Sequence, residues 1–284
     1  MAVDALAVDV LAVRLPHVWL IGGTRESVEL AKALAARDLP YVVTVTTPSA
    51  RALYHDSARV HVEQILPDAL EGFVERYHVR CILDASHPFA NQISQQAIAL
   101  CQRYQGPGIG HVSANPSQSS IAYLRYERPR ISSVSQDKVV EVASVEALMA
   151  GDLLSHQRVL FTIGYRHLQH FSPLRQTSKL FARVLPSVDA IAGALAAGFS
   201  PSEIVALRPP ISLSLEKALW QQWQISWVVA KASGQPGGEA IKRQVAAELN
   251  IGLVLIRRPS VVYPKQTDDT SEAVNFCAEA LTLY

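Results

Sequence analysis

A short apolar run that ends in two glycines and opens an amphipathic stretch constrains this chain most. Residues 18–21 lead into Gly22-Gly23-Thr24, and Val28, Leu30, Ala31, Leu34 and Ala35 then fall on one side of a helix. The alternation continues. Residues 41–46 are β-branched and read as a strand, 68–77 as a helix, 80–85 as a strand, 91–104 as a helix and 122–126 as a strand. Each helix carries the chain back for another strand in the same direction, so the expected class is α/β with parallel sheets covered on both faces. Residues 106–120 are rich in Gly, Pro, Ser and Asn and read as a long surface loop.

The pattern restarts after Arg128-Pro129. Helices are expected at 145–154, 189–197, 215–223, 239–249 and 272–281, and strands at 159–163, 180–184, 204–207, 227–230 and 253–256. At about 150 residues per domain, a chain of 284 residues accommodates two. The expected organisation is an N-terminal extension at 1–15, a first Rossmann-like domain at 16–130 and a second at 131–284. No short-period repeat interrupts this plan.

Composition narrows the function. With 49% hydrophobic and 18% charged residues the chain is not disordered, and no apolar run reaches the roughly 18 residues of a membrane span. Lys plus Arg number 26 against 25 Asp plus Glu, balanced on both sides of residue 130, so no nucleic-acid partner is expected. An anionic ligand must then be met by local Arg and Lys groups or by backbone N–H. Cys81, Cys101 and Cys277 form no metal-ligand spacing, and no metal site is expected. Their sparse, odd number fits a reducing cytoplasm. The first residues are apolar but broken by Asp4 and Asp9 and lack a basic start, which argues against a signal peptide.

Two strand ends carry candidate chemistry. At the first, Gly22, Gly23 and Thr24 open a helix whose free N–H groups and positive dipole end favour an anion, and the glycines let a pyrophosphate approach. Arg25-Glu26-Ser27 stands where the third glycine of the dinucleotide fingerprint would be, so an ordinary tight turn remains the alternative. About 20 residues on, where an NAD site carries an acid, this chain has none. Thr46, Thr47, Ser49 and Arg51 are placed to hold a 2′-phosphate instead, which predicts NADPH over NADH, unless Arg51 is merely solvated. At the second strand end lies Asp84-Ala85-Ser86-His87-Pro88-Phe89-Ala90. Ligands of open α/β sheets gather at such carboxyl ends. Ser86 or His87 can cap a helix that Pro88 begins, and His87 can move a proton near neutral pH; a capping turn without chemistry is the alternative.

These motifs, together with Tyr123-Leu124-Arg125-Tyr126-Glu127-Arg128-Pro129, occur in an order that resembles the precorrin-6A reductases of cobalamin (vitamin B12) biosynthesis, including the cobalt-precorrin-6A reductases. Lys231-Ala232-Ser233-Gly234, Gly237-Gly238, Lys242, Ala246-Ala247 and Arg257-Arg258-Pro259 extend the resemblance from about His17 to Pro259. It implies a cytoplasmic, NADPH-dependent oxidoreductase acting on a CH–CH bond, which passes a hydride to a C=C bond of precorrin-6A, or its cobalt form, to give the 6B form. It also implies two Rossmann-like domains with substrate in a cleft between them. The nicotinamide is expected beside Ser86, His87, Pro88 and Phe89, with Glu26 also on the cofactor side. His87 is the candidate acid if one is needed.

A polycarboxylate macrocycle needs cations around an apolar floor. Arg125 and Arg128 are the candidates in the first half, either as carboxylate-binding groups or as partners in an interdomain salt bridge. In the second half the candidates are Gly164 and Arg166 after one strand, and the turn of Lys231, Ser233, Gly234, Gly237 and Gly238 with Lys242, read as a second anion cradle. His167 and His170 read as surface residues. The remaining alternative is a non-enzymatic NADPH-sensing protein of two domains. Transient contact with neighbouring pathway enzymes is the one protein partnership expected.

Overall fold

The computed structural model describes residues 15–56, 58–63, 65–105, 120–128, 138–234 and 237–282. The N-terminal extension, but for its last residue, and the loop expected at 106–120, but for Ser120, therefore lie outside the described residues.

Strand and helix alternate as the hydrophobic periodicity requires. The first series is β1 (His17–Ile21), α1 (Arg25–Ala35), β2 (Tyr41–Val45), α2 (Pro48–Arg51), β3 (Val60–Val62), α3 (Leu70–Arg76), β4 (Val79–Asp84), α4 (Asn91–Gln105) and β5 (Ala122–Tyr126). The second is β6 (Val139–Val142), α5 (Val145–Met149), β7 (Arg158–Phe161), β8 (Lys179–Val184), α6 (Val188–Ala196), β9 (Ile204–Ala206), α7 (Leu213–Gln222), β10 (Trp227–Lys231), α8 (Glu239–Leu249) and β11 (Gly252–Ile256). β12 (Gln266–Thr267) and α9 (Thr270–Thr282) close the chain. A 3-10 segment, Tyr165–Gln176, follows β7.

Two six-stranded parallel sheets result, ordered β12-β5-β4-β1-β2-β3 and β6-β11-β10-β7-β8-β9. The α/β class is as expected. In the first sheet, alternate residues of a strand serve opposite faces. Val18 and Leu20 of β1 join Leu30 and Leu34 of α1, while Trp19 and Ile21 join Phe73 of α3 and Leu100 of α4. In the second, Val228, Ala230, Leu253 and Leu255 pack with Trp220 of α7 and Val245 of α8.

The domain plan needs one correction. The chain divides into one unit that runs through Arg128 and resumes at Ser260–Tyr284, and another of Pro129–Pro259. Residues 131–284 are thus not one body. The closing segment returns to the first sheet, where β12 pairs in parallel with β5 (Gln266↔Arg125, Thr267↔Tyr126). Ala273, Val274, Cys277 and Leu281 of α9 complete the apolar layer that α1 covers in part. The physical reason is burial: without α9, Cys81 and Leu83 on that face would meet water.

Smaller differences follow local chemistry. The helix expected at 145–154 stops at Met149, and the short strands β3, β6 and β12 were not foreseen. Among the described residues no helix is long and apolar enough to cross a membrane.

Candidate active site

The glycine turn after β1 is built as expected but wired differently. Thr24 caps α1, its Oγ1 accepting the Ser27 N–H at 3.1 Å. Gly23 has φ +96°, a left-handed conformation that glycine adopts without strain. Yet the turn's own N–H groups are consumed internally. Gly22 N–H donates to Thr44 O at 2.9 Å, Gly23 N–H to Tyr54 Oη at 2.9 Å and Thr24 N–H to Ser27 Oγ at 3.0 Å. Any free amides must therefore come from the helix that the turn opens, as the sequence suggests, and not from the turn itself. The first helical amides, those of Arg25 and Glu26, are the ones with no intrahelical acceptor, and they carry the anion-binding capacity of α1. Gly22 lacks a side chain for a packing reason: a Cβ there would overlap Tyr54 Oη and approach Val43 Cγ1 to 2.9 Å.

Glu26 and Arg128, assigned by the sequence to cofactor and substrate, are brought together instead. Arg128 Nε lies 2.7 Å from Glu26 Oε1, and its Nη2 donates to Oε2 at 2.8 Å. This salt bridge lies within the first unit, and both groups are largely buried. The pairing neutralises a carboxylate at the N-terminus of α1, which would otherwise repel an incoming phosphate.

The 2′-phosphate candidates gather on the short α2. Thr47 caps it, accepting from Ala50 N–H at 3.2 Å, and lies 3.1 Å from Ser49 Oγ; Arg51 is its last residue and Thr46 is exposed beside it. A Cβ on Gly23 would sit 3.9 Å from Ala50 Cβ, so α2 stands at van der Waals distance from the glycine turn.

Asp84 and Arg125 form the hub of the second strand end. Asp84 is fully buried and accepts four donors: Ser86 N–H (3.0 Å), Arg125 Nη1 (2.9 Å), Ser94 Oγ (2.5 Å) and Tyr123 Oη (2.8 Å). Burial and the neighbouring carboxylate push the Tyr123 hydroxyl up, so it stays a donor. Arg125 is 1% exposed, and its remaining donors reach Glu127 Oε2 at 2.9 Å, Ser86 Oγ at 3.0 Å and Ser86 O at 3.0 Å. Tyr263, from the returning segment, lies under its guanidinium at 5.4 Å. Burial alone lowers the arginine's pKa, but Asp84 and Glu127 outweigh it and the net shift is upward. Arg125, a substrate candidate from sequence, thus grips the loop after β4 with its donors. The helix begins at Asn91, as its periodicity predicts, but Pro88 sits in a turn ahead of it and not in its first turn. His87 is half-buried. Its Nδ1 accepts from Phe89 N–H at 3.2 Å, which leaves the proton of the neutral ring on Nε2.

The second unit repeats the theme. Gly234 N–H donates to the buried Glu239 carboxylate at 3.0 Å, Gly237 N–H and Glu239 N–H both turn back to Gly234 O, and Ser233 N–H reaches Lys231 O at 2.7 Å. Ser233 Oγ fills the space a side chain on Gly237 would need. Gly238 adopts φ +72° at the cap of α8. Lys242 is 5% exposed and donates to Gly237 O (3.0 Å) and Gly238 O (3.3 Å). Burial and Arg183 lower its pKa to about 8 against the opposing pull of Glu216 and Glu239. Lys242, a substrate candidate from sequence, thus ties the loop to its helix and is almost wholly buried. The positive groups at these strand ends are Lys231, half-buried with a pKa lowered to about 8 by burial and by Arg166, and the exposed Arg166 after Gly164. His167, read from sequence as a surface residue, is half-buried and lowered in pKa first by burial and next by Lys231. It belongs with them. Among the described residues no group of three or more His, Cys, Asp or Glu is placed to hold a metal.

Sequence reasoning missed Tyr54, Ser27, Glu239 and Tyr263. None carries a motif: Tyr54, Ser27 and Glu239 close on backbone groups of the turns, and Tyr263 packs against the Arg125 guanidinium.

Comparison with known proteins decides among chemistries that share such strand ends. The family profile described as "Precorrin-6x reductase CbiJ/CobK" matches residues 17–278. The chain belongs to this family. It is 42% identical over 272 residues to the cobalt-precorrin-6A reductase of Synechocystis sp., covering 94% of this chain and 98% of that one. It is 30% identical over 256 residues to the precorrin-6A reductase of Rhodobacter capsulatus, covering 87% and 90%. A solved structure titled "CobK precorrin-6A reductase" superposes with a TM-score of 0.73 at 22% identity, covering 94% of this chain and 97% of that one, which establishes the shared fold.

Proposed function

We propose that the protein reduces precorrin-6A, or its cobalt form, with NADPH in cobalamin biosynthesis. Family membership over residues 17–278 carries the reaction class. Three features of the first unit fit a dinucleotide. The amides of Arg25 and Glu26 lie in the first turn of α1, where a helix offers N–H groups to an anion, the nearby carboxylate is neutralised by Arg128, and Gly23 leaves the turn without a side chain. The segment Thr46, Thr47, Ser49 and Arg51 supplies hydroxyls and a guanidinium but no acid, which favours a 2′-phosphate over a free ribose hydroxyl.

When bound, NADPH would supply the hydride, two electrons and one hydrogen nucleus, to one carbon of the substrate C=C bond. The protein's part is placement and charge. Asp84 and Arg125 hold the Ser86 backbone from both sides, so the loop of residues 86–89 presents His87 and Phe89 in one conformation. His87 would be the proton donor at that strand end, to complete addition across the bond. Lys231, Arg166 and His167 would face carboxylates of the substrate.

The test is turnover of the purified full chain under anaerobic conditions, with each tetrapyrrole and each of NADPH and NADH. Equimolar loss of NADPH and of the substrate's visible band is expected. A spectrum unchanged with both tetrapyrroles, at saturating NADPH, would refute the reading; a pure sensor would behave in that way.

A further inference from the structure

We propose that Tyr54 is the positioning residue of the dinucleotide site, fixing the glycine turn and the 2′-phosphate segment as one piece. The inference rests on the reading that NADPH binds the first unit. Tyr54 lies just beyond α2, buried, with its N–H on Arg51 O at 3.1 Å. Its hydroxyl reaches back to the turn, accepting the Gly23 N–H at 2.9 Å and lying 2.5 Å from Ser27 Oγ.

The protons can be assigned. Ser27 Oγ has one, and it is directed to Thr24 O at 2.7 Å. Tyr54 must therefore donate to Ser27 Oγ, which also accepts from Thr24 N–H. Thr24 Oγ1 in turn donates to Ala85 O at 2.8 Å. A directed chain of hydroxyls, Tyr54 to Ser27 to the cap of α1, thus runs beside a second bond from that cap to the loop after β4. Burial raises the Tyr54 pKa, so its proton stays in place across the working pH range.

Only a hydroxyl at this point meets both demands. It satisfies Gly23 N–H, and it fills the space that the missing Gly22 side chain leaves. Arg51 is three residues back on the same short segment, so whatever fixes Tyr54 fixes the guanidinium relative to the first-turn amides of α1. Without the hydroxyl, Gly23 N–H needs another acceptor, and a phosphate oxygen competes with water for a turn that is no longer set. Loss of binding should fall on the 2′-phosphate half most, because α2 is the shorter element and Tyr54 is its link to the turn.

The experiment titrates NADPH and NADH into full-length wild type, Tyr54→Phe and Ser27→Ala, each with a thermal melt. Tyr54→Phe should weaken NADPH about ten-fold, the scale of one hydrogen bond, and NADH less, so the preference ratio falls. Ser27→Ala should move in the same direction. kcat at saturating NADPH should stay within about two-fold, since the residue touches no reacting atom. Unchanged NADPH affinity in Tyr54→Phe, with wild type binding normally, overturns the proposal alone. So does an equal loss for both nucleotides that merely tracks a lower melting temperature. Wild type that binds neither nucleotide overturns the underlying reading as well.

Discussion

Replacing Arg125 by alanine separates two accounts of that residue. As a substrate-binding cation it would matter only to the KM of the tetrapyrrole. The structure gives it another load: it is 1% exposed, pairs with the fully buried Asp84 and holds both Ser86 Oγ and Ser86 O. Removing one partner of a buried ion pair costs about 3–5 kcal/mol, because the other charge is left in a low-dielectric site. Asp84 would keep Ser86 N–H, Ser94 and Tyr123 as donors, which favours the lower part of that range. At about 2–4 °C per kcal/mol for a unit of this size, the melting temperature should drop by about 6–20 °C. Asp84→Asn should be milder, since the amide oxygen still accepts while the other position now donates. Calorimetry of wild type, both single variants and the double variant gives the coupling energy. A melting temperature for Arg125→Ala within about 2 °C of wild type, with a raised tetrapyrrole KM, would refute the argument and restore the sequence-based assignment.

Four further outcomes follow from the same geometry. Arg51→Ala should lower the affinity for NADPH but not NADH, by about ten-fold or more for a lost charge-assisted pair, and an unchanged ratio in competition binding would remove the 2′-phosphate assignment. Lys231 has a pKa near 8 in the folded chain, so its charge is present below that pH and lost as pH rises through it. The tetrapyrrole KM should accordingly rise above pH 8 while the NADPH KM stays level, and Lys231→Arg should flatten the limb; the pH profile of both constants checks this. Lys231 and Lys242 titrate near 8 when folded against 10.5 when free, so between those values the unfolded chain holds more protons and stability should increase with pH in denaturant titrations. Gly22→Ala should cost about 1–3 kcal/mol by crowding Tyr54 and Val43, and the cost should shrink in the Tyr54→Phe background, a test for chemical denaturation.

The strand ends were legible because they are marked by a change of pattern: β1 running into glycines, and β4 running into Asp84, both lie where a short apolar run gives way to a helical period. The destination of α9 was not. Its apolar stripe of Ala273, Val274 and Cys277 fits any parallel sheet with an uncovered face, and chain order favoured the nearer one. The state of the turn amides was equally hidden. Gly23 is satisfied by a tyrosine 31 residues away and Gly234 by the first residue of the helix that follows it, and neither pairing follows from a glycine pattern. Arg125 shows the same limit. An arginine at a strand end reads alike whether it faces a ligand or a buried aspartate, although Asp84 at the end of an apolar strand already required some cation or set of donors.

The most direct test of the account is a structure of the protein with NADP bound. The account predicts the pyrophosphate against the Arg25 and Glu26 amides, with the 2′-phosphate within hydrogen-bond reach of Arg51. A nucleotide seated instead on the turn of Gly234, Gly237 and Gly238, with the first unit's strand ends bare, would contradict it.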